Sequence, residues 1–341
     1  MADTNYSDIV DRSHPSRAAR QLPETVANEI IKDVVEGSAA LQLGNTFRMR
    51  AFQHRMRVLK AFADAYWLHG DGDDTRKGTG TGSQKDKDSA VKSRTALEWD
   101  NVFITPEEIA VLVPVPDAWM DDSDITWEEI RSEVVRAFSR KVDEAIFFGA
   151  GGVPPSFGSG LVPDAVAVGN VVTVGEGVPN EGGPNDTQRD LALDIATLGE
   201  RLDGQGYDLS GFATYRSFKW RLRRMRDQEG QPILQERDGR FTLYDEPLRE
   251  VGNGSWDRDQ AVLIGGEWDK LVIGIRQDIT FRVFDQAVLT DPSTGEVVYN
   301  AVEQDGKVLR AVMRIGYAVP NPVKVLGGLY PFYVLREGES S

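Results

Sequence analysis

From Thr126 to Phe148 apolar side chains return at steps of three and four: Ile130, Val134, Ala137, Phe138, Val142, Ala145 and Phe148, with Ile146 beside them. This is one apolar stripe along a helix, about 34 Å long at 1.5 Å per residue. Thr126 can cap its start with Glu129 as the reciprocal residue, and Gly149 ends it. Val134 and Phe138 lie mid-stripe and are expected in the core. Asp121, Asp122, Asp124, Glu128 and Glu129 crowd the start, where negative charge complements the helix dipole. Arg136, Arg140 and Lys141 lie toward the other end.

Residues 1–22 are polar and read as an extended arm. Residues 24–36 follow as a helix with Val26, Ile30 and Val34 on one face, Pro23 before it and Gly37 as its C-cap. Residues 46–67, TFRMRAFQHRMRVLKAFADAYW, alternate apolar and polar positions and predict a long strand. Residues 91–104, VKSRTALEWDNVFI, predict a second. The stretch between them is rich in Gly, Asp, Ser and Lys, so the two strands make a long hairpin with a polar tip. A compact chain seldom carries so long a loop without using it. Trp67 and Trp99 flank the tip and can pair across the strands.

Beyond the hairpin, IAVLVPV gives a short strand, and residues 149–187 read as loops and short strands without a helical period. A second helix is expected over 188–203, with Leu191, Ile195, Leu198 and Leu202 on one face, and a third over 214–227. AVLIGG, KLVIGI, ITFRVF and VLRAVMRIGYAV then predict strands. The fold class is α+β, with no regular βαβ alternation and no internal repeat.

Composition narrows the chemistry. The 341 residues are enough for two domains. There is no cysteine, which removes disulfides and thiolate chemistry. The three histidines, His14, His54 and His69, stand apart in polar surroundings. A formal charge of -15 opposes general binding to nucleic acid. No apolar run is long enough for a membrane span, and the first residues carry no apolar signal segment. GTGTGS, residues 78–83, lacks the Lys-Ser/Thr of a phosphate loop. DGDDTRKG has Arg76 where a calcium loop needs Gly and Gly82 where it needs Glu. There is no G-x-S-x-G elbow. No catalytic residue, metal site or cofactor is expected.

Two basic stretches stand out. Arg48, Arg50, Arg55, Arg57 and Lys60 follow one another without an acid between Asn45 and Lys60. Arg216, Lys219, Arg221, Arg223, Arg224 and Arg226 form the other. Phosphate binding, a solvated or salt-bridged face and an inter-subunit contact are the three readings. The net charge weighs against the first.

The ordered set of segments resembles the major capsid proteins of tailed bacteriophages, the Hong Kong 97-type capsid fold. The segments are LPETVANEIIKDVVEGSAALQL, the hairpin with its Gly/Asp/Lys tip, ITPEEIAVLVPVPDAWMDDSDITWEEIRSEVVRAFSRKVDEAIFFG, GGVPPSFGSGLV, RLRRMRDQEGQPIL and VLRAVMRIGYAVPNPVKV. They run in order over most of residues 22–326. The resemblance implies an N-terminal arm (1–45), an extended loop lying over a neighbour (46–104) and a peripheral domain with a spine helix (105–149). It further implies an axial domain at the hexamer or pentamer centre (150–285) and a return to the peripheral domain (286–341). It implies a structural, non-enzymatic subunit of an icosahedral shell that encloses double-stranded DNA without binding it specifically. It places the protein in the virion, after assembly in the host cytoplasm, with no membrane partner.

Met1 stands about twenty residues before the arm helix, too few for a fused scaffold. A separate scaffold protein is therefore expected, beside a portal and a possible decoration protein. Some relatives cross-link a hairpin lysine to a neighbour's asparagine. Lys77, Lys85, Lys87 and Lys92 offer amines, but QDGKVLRAVMRIGY holds neither Asn nor Glu, so that chemistry is not carried over. The expected inter-subunit contacts are Arg48, Arg50, Arg55, Arg57, Lys60, Trp67, Lys77 and Trp99 of the hairpin. Facing them are Asp121, Asp122, Asp124, Glu128, Glu129 and Glu133 around the spine-helix start. The competing readings are an encapsulin-type compartment shell and, more remotely, a soluble α+β hydrolase.

Overall fold

The structure is a computed structural model that describes residues 34, 37–61, 98–116, 124–175, 191–224, 234–237, 240–291, 293–321 and 328–338. Its elements run in this order: α1 (Ala39–Leu43), β1 (Asn45–Arg48), β2 (His54–Ala61), β3 (Glu98–Ile104), β4 (Glu107–Pro116), α2 (Asp124–Phe148), α3 (Leu161–Ala167), β5 (Val171–Thr173), α4 (Leu191–Gly204), β6 (Phe212–Tyr215), α5 (Lys219–Leu222) and β7 (Leu234–Arg237). There follow β8 (Arg240–Leu243), β9 (Glu246–Val251), β10 (Leu263–Gly266), β11 (Val272–Phe284), β12 (Val288–Thr290), β13 (Val297–Asn300), β14 (Gly306–Ala318) and β15 (Phe332–Arg336).

Two sheets organise the chain. The first has the order β1-β11-β14-β4, with β1 parallel to β11 and the other pairs antiparallel. Strand alternation sends Leu309, Ala311, Met313, Ile315 and Tyr317 of β14 into one core. There they join Val134, Phe138, Val142 and Ala145 of α2, the stripe expected from the sequence. Pro114 and Pro116 lie in β4, an edge strand, where a missing N–H is tolerated. The second sheet has the order β5-β15-β10-β6-β9-β8-β7. Ile195, Leu198 and Leu202 of α4 build a second core with Phe212, Leu263 and Leu335 from this sheet.

Several elements depart from the sequence expectations. The strand expected over 46–67 is broken after Arg48: Met49 is buried, its N–H donates to the Ile275 carbonyl at 2.9 Å, and pairing resumes only at His54. Thr126 is not the N-cap, because α2 already includes Asp124. Of the helix expected over 214–227, the described residues through Arg224 hold a 3-10 turn and the four residues of α5, since Phe212–Tyr215 is captured as the central strand β6. Gly37 is helical rather than a left-handed cap. Helix α3, inside the stretch read as loops, has Pro163 in its first turn, where no intrahelical N–H is needed. KLVIGI and ITFRVF are one strand, β11, whose register shifts between Ile275 and Thr280. The arm residues before Val34 lie outside the described residues.

The change of sheet falls between Gly266 and Val272, and the last strand, β15, returns to the seven-stranded sheet. Gly149 ends α2 as expected, at φ 61, with its N–H on the Ala145 carbonyl at 2.9 Å. A side chain there would run into the Ser159 backbone, so glycine is required by space as well as by conformation.

One polar group ties these parts together. Asp143, on α2, is fully buried. Its carboxylate accepts from Ser38 Oγ (2.5 Å), the Ala39 N–H (3.1 Å), the Ala40 N–H (3.0 Å) and Asn253 Nδ2 (2.6 Å). A single acid thereby holds the start of α1 and the loop after β9 against the long helix.

Candidate assembly surfaces

The β2–β3 hairpin is a two-stranded ribbon of its own, with His54 opposite Ile104 and Leu59 opposite Trp99. Its alternation separates two faces. Met56 and Val58 are part-buried or buried, whereas Arg55 and Arg57 are exposed, opposite Phe103 and Asn101. That outer face carries Trp99 at 60% exposure and Phe103 at 50%. Arginine beside exposed aromatics is the composition of protein contact sites. The break at Met49 means that the basic stretch is not one strand: Arg48 ends β1 in the four-stranded sheet, Arg50 lies in the bend, and Arg55 and Arg57 sit on β2. All four are exposed.

Among the acidic candidates, Glu133 is exposed and bonded to Arg136 of its own helix at 3.0 Å. Asp124, Glu128 and Glu129 lie on α2, but their side chains are outside the description, as is that of Lys60. Trp67, Lys77, Asp121 and Asp122 lie outside the described residues. The structure therefore neither joins nor separates the two expected charge sets.

The second basic stretch is largely partnered within the chain. Lys219 pairs with Glu250 at 3.0 Å, Arg221 pairs with Glu337, and Arg223 stacks over Trp220 (5.0 Å) and Phe241 (5.3 Å). This is the salt-bridged reading. Arg226 lies outside the described residues.

A second exposed surface escaped the sequence reading. The hairpin β12–β13 presents Val288, Val297 and Val298, the last 66% exposed. Asp291 stabilises its turn by accepting from Ser293 N–H at 2.7 Å, and Gly295 has φ 73. The segment DPSTG was the available signal, a turn between two β-branched runs.

Two hairpins with exposed aromatic and β-branched residues are the kind of surface that marks a protein–protein contact. The comparisons agree. The profile of the Phage capsid family matches residues 20–327. The major capsid protein of Staphylococcus phage 80alpha is 23% identical over 297 residues, covering 85% of this chain and 80% of that one. A solved structure from Microbacterium phage Oxtober96 superposes with a TM-score of 0.69 at 32% identity, over 89% of this chain and 91% of that one. A capsid chain of an empty GTA particle shares the fold at TM-score 0.54 and 19% identity, covering 89% of this chain and 90% of that one. The chain belongs to the phage capsid family and has the Hong Kong 97-type capsid fold.

Proposed function

We propose that the chain is the major capsid protein of a tailed phage, assembling into the hexamers and pentamers of an icosahedral shell around double-stranded DNA. The observation that carries this is the β2–β3 ribbon with Arg55, Arg57, Trp99 and Phe103 on its open face. A two-stranded ribbon is marginal alone in water, and burial against a neighbouring copy makes it stable. In this reading α2 and the four-stranded sheet form the peripheral domain and the seven-stranded sheet the axial domain. The shell assembles in the host cytoplasm on a separate scaffold protein, acquires a portal and becomes part of the virion. An excess of acid on such a shell repels the enclosed duplex rather than binding it. The relatives are phage capsids, which favours this over an encapsulin-type compartment or a hydrolase.

The test is co-expression with the scaffold, followed by sedimentation and electron microscopy of the product. Closed shells are expected, and DNA rather than a cargo protein inside particles from infected cells. A monomer at every salt concentration in the presence of scaffold overturns the proposal.

The hairpin arginines give a sharper expectation. We place them against acids at the α2 start of an adjacent subunit: Asp121, Asp122, Asp124, Glu128, Glu129 or Glu133. Each exposed pair is worth about 0–1 kcal/mol, but the contact recurs at every subunit. The double reversal Arg55→Glu with Arg57→Glu should lower shell yield, most strongly at low salt, where screening is weakest. Yield equal to the parent's at both low and high salt excludes this contact.

A further inference from the structure

The outward face of the four-stranded sheet holds an arrangement that the subunit alone leaves unbalanced. Arg282 of β11 and Arg310 of β14 are direct cross-strand partners. Like charges so placed repel, with Cβ atoms about 5 Å apart. Arg314 lies on the same face of β14, opposite Glu108 of β4. Glu108 takes both Nε (3.1 Å) and Nη2 (2.8 Å) of Arg314 and also bonds Arg310 at 3.2 Å. The Arg314 hydrogen bonds hold its carboxyl below the ordinary carboxylate range, so it is fully charged near neutrality. One carboxylate thus stands among three guanidinium groups, and Arg282 has no carboxylate partner among the described residues. With Thr280 and Val312 these four side chains line a groove of about 200 Å³.

We propose that this groove is a docking site for a carboxylate-bearing surface of a second copy of the chain, received by Arg282 and Arg310. The inference rests on the shell-forming reading and names a contact within it. Three observations choose the occupant. Arg314 and Arg310 already hold a carboxylate between them, one on each oxygen of Glu108, so the site suits that group. Leu112, 50% exposed, lies directly opposite Arg310 and supplies an apolar rim that fits a protein surface and offers nothing to a phosphate backbone. The chain has 54 acidic residues against 39 basic ones, so every copy presents abundant carboxylates to its neighbours. A carboxylate between Arg282 and Arg310 removes the cross-strand repulsion that the isolated subunit carries.

The test uses parent shells as reference; if the parent forms none, the shell-forming reading fails, and the groove is judged only where shells exist. Arg282→Glu should leave the thermal unfolding of dissociated subunits no lower than the parent's, since it replaces a like-charged cross-strand pair by an opposite-charged one, and should lower the yield of closed shells by about tenfold at low salt. Arg282→Lys places an amine in the groove. Shells reassembled from mixed nitrogen-15-labelled and unlabelled subunits of this variant are then treated with a carbodiimide. The expected product joins position 282 to an acidic peptide carrying the other isotope label. This readout decides the matter even where Arg282→Glu does not fold. A product confined to one copy, such as a bond to Glu108, or no product at all overturns the proposal. So does a defect present in DNA-filled particles and absent from empty shells, which would assign the groove to phosphate.

Discussion

Phe138→Ala should destabilise the dissociated subunit by about 3–5 kcal/mol, the range for removing a fully buried aromatic ring. Phe138 has no exposed surface and sits at the middle of the stripe on α2. Its core is shared: residues of α1, α3, β11, β14 and β15 belong to the same buried cluster. A cavity inside so large a shared core relaxes little, which pushes the cost toward the upper end. Arg136→Ala on the exposed side of the same helix is the control. Its ion pair with Glu133 is about 70% exposed at both ends, so the loss should stay within about 0.5 kcal/mol. Denaturant titration measures both. A Phe138→Ala loss under about 1 kcal/mol would contradict the burial.

The same helix shows what could be read in the sequence. Its stripe repeats over about five turns from Ile130 to Phe148, and so long a period leaves little ambiguity. Helix α4 and strands β4 and β14 were legible for the same reason. Helix α3 was not, because seven residues with a proline and a glycine start hold too few repeats to set against a loop. The break between β1 and β2 left a trace that the overall alternation hides: apolar side chains fall on odd positions through Phe47, Met49 and Ala51 and on even ones from Phe52 through Met56 to Val58. A distant contact accompanies it: the Met49 side chain sits close over Gly274 of β11, where a Cβ would collide with it. Strand β15 was missed because PFYVLR is short and apolar on both faces, as befits an interior strand of the seven-stranded sheet.

The assembly surfaces divide in the same way. Arg55, Arg57 and Trp99 could be named because they cluster along one segment. The Arg282, Arg310, Arg314 and Glu108 group could not, since three strands contribute to it and only their register brings it together. Asp143 falls between these cases. An acid next to Val142 and Ala145, on the flank of an apolar stripe, was a visible anomaly. Its partners, Ser38, Ala39, Ala40 and Asn253, are not predictable from local pattern.

That anomaly carries the second large effect. Asp143→Ala removes the acceptor for two backbone N–H groups at the start of α1, for the Ser38 hydroxyl and for the Asn253 amide. Each buried donor left without a partner costs about 1–3 kcal/mol, so the sum should reach at least about 3 kcal/mol. Asp143→Asn keeps one acceptor oxygen but turns an amide toward groups that are themselves donors, and its loss should be smaller. A loss below about 1 kcal/mol for the alanine variant would show that water replaces the carboxylate freely. The pair also reads the charge on Asp143. Burial pushes this carboxyl above its ordinary value near 3.8, against the pull of its four donors. The folded subunit therefore holds the proton more tightly than the unfolded chain. The stability from that linkage is complete below about pH 3.8 and is lost as pH rises through the folded value. Asparagine does not titrate, and the other carboxylates are common to both proteins. The stability gap between parent and Asp143→Asn should consequently narrow as pH rises from about 3.5 to 7. A gap that widens over that range would mean that the four donors outweigh desolvation, and that the start of α1 is held by a charge rather than by a buried acid.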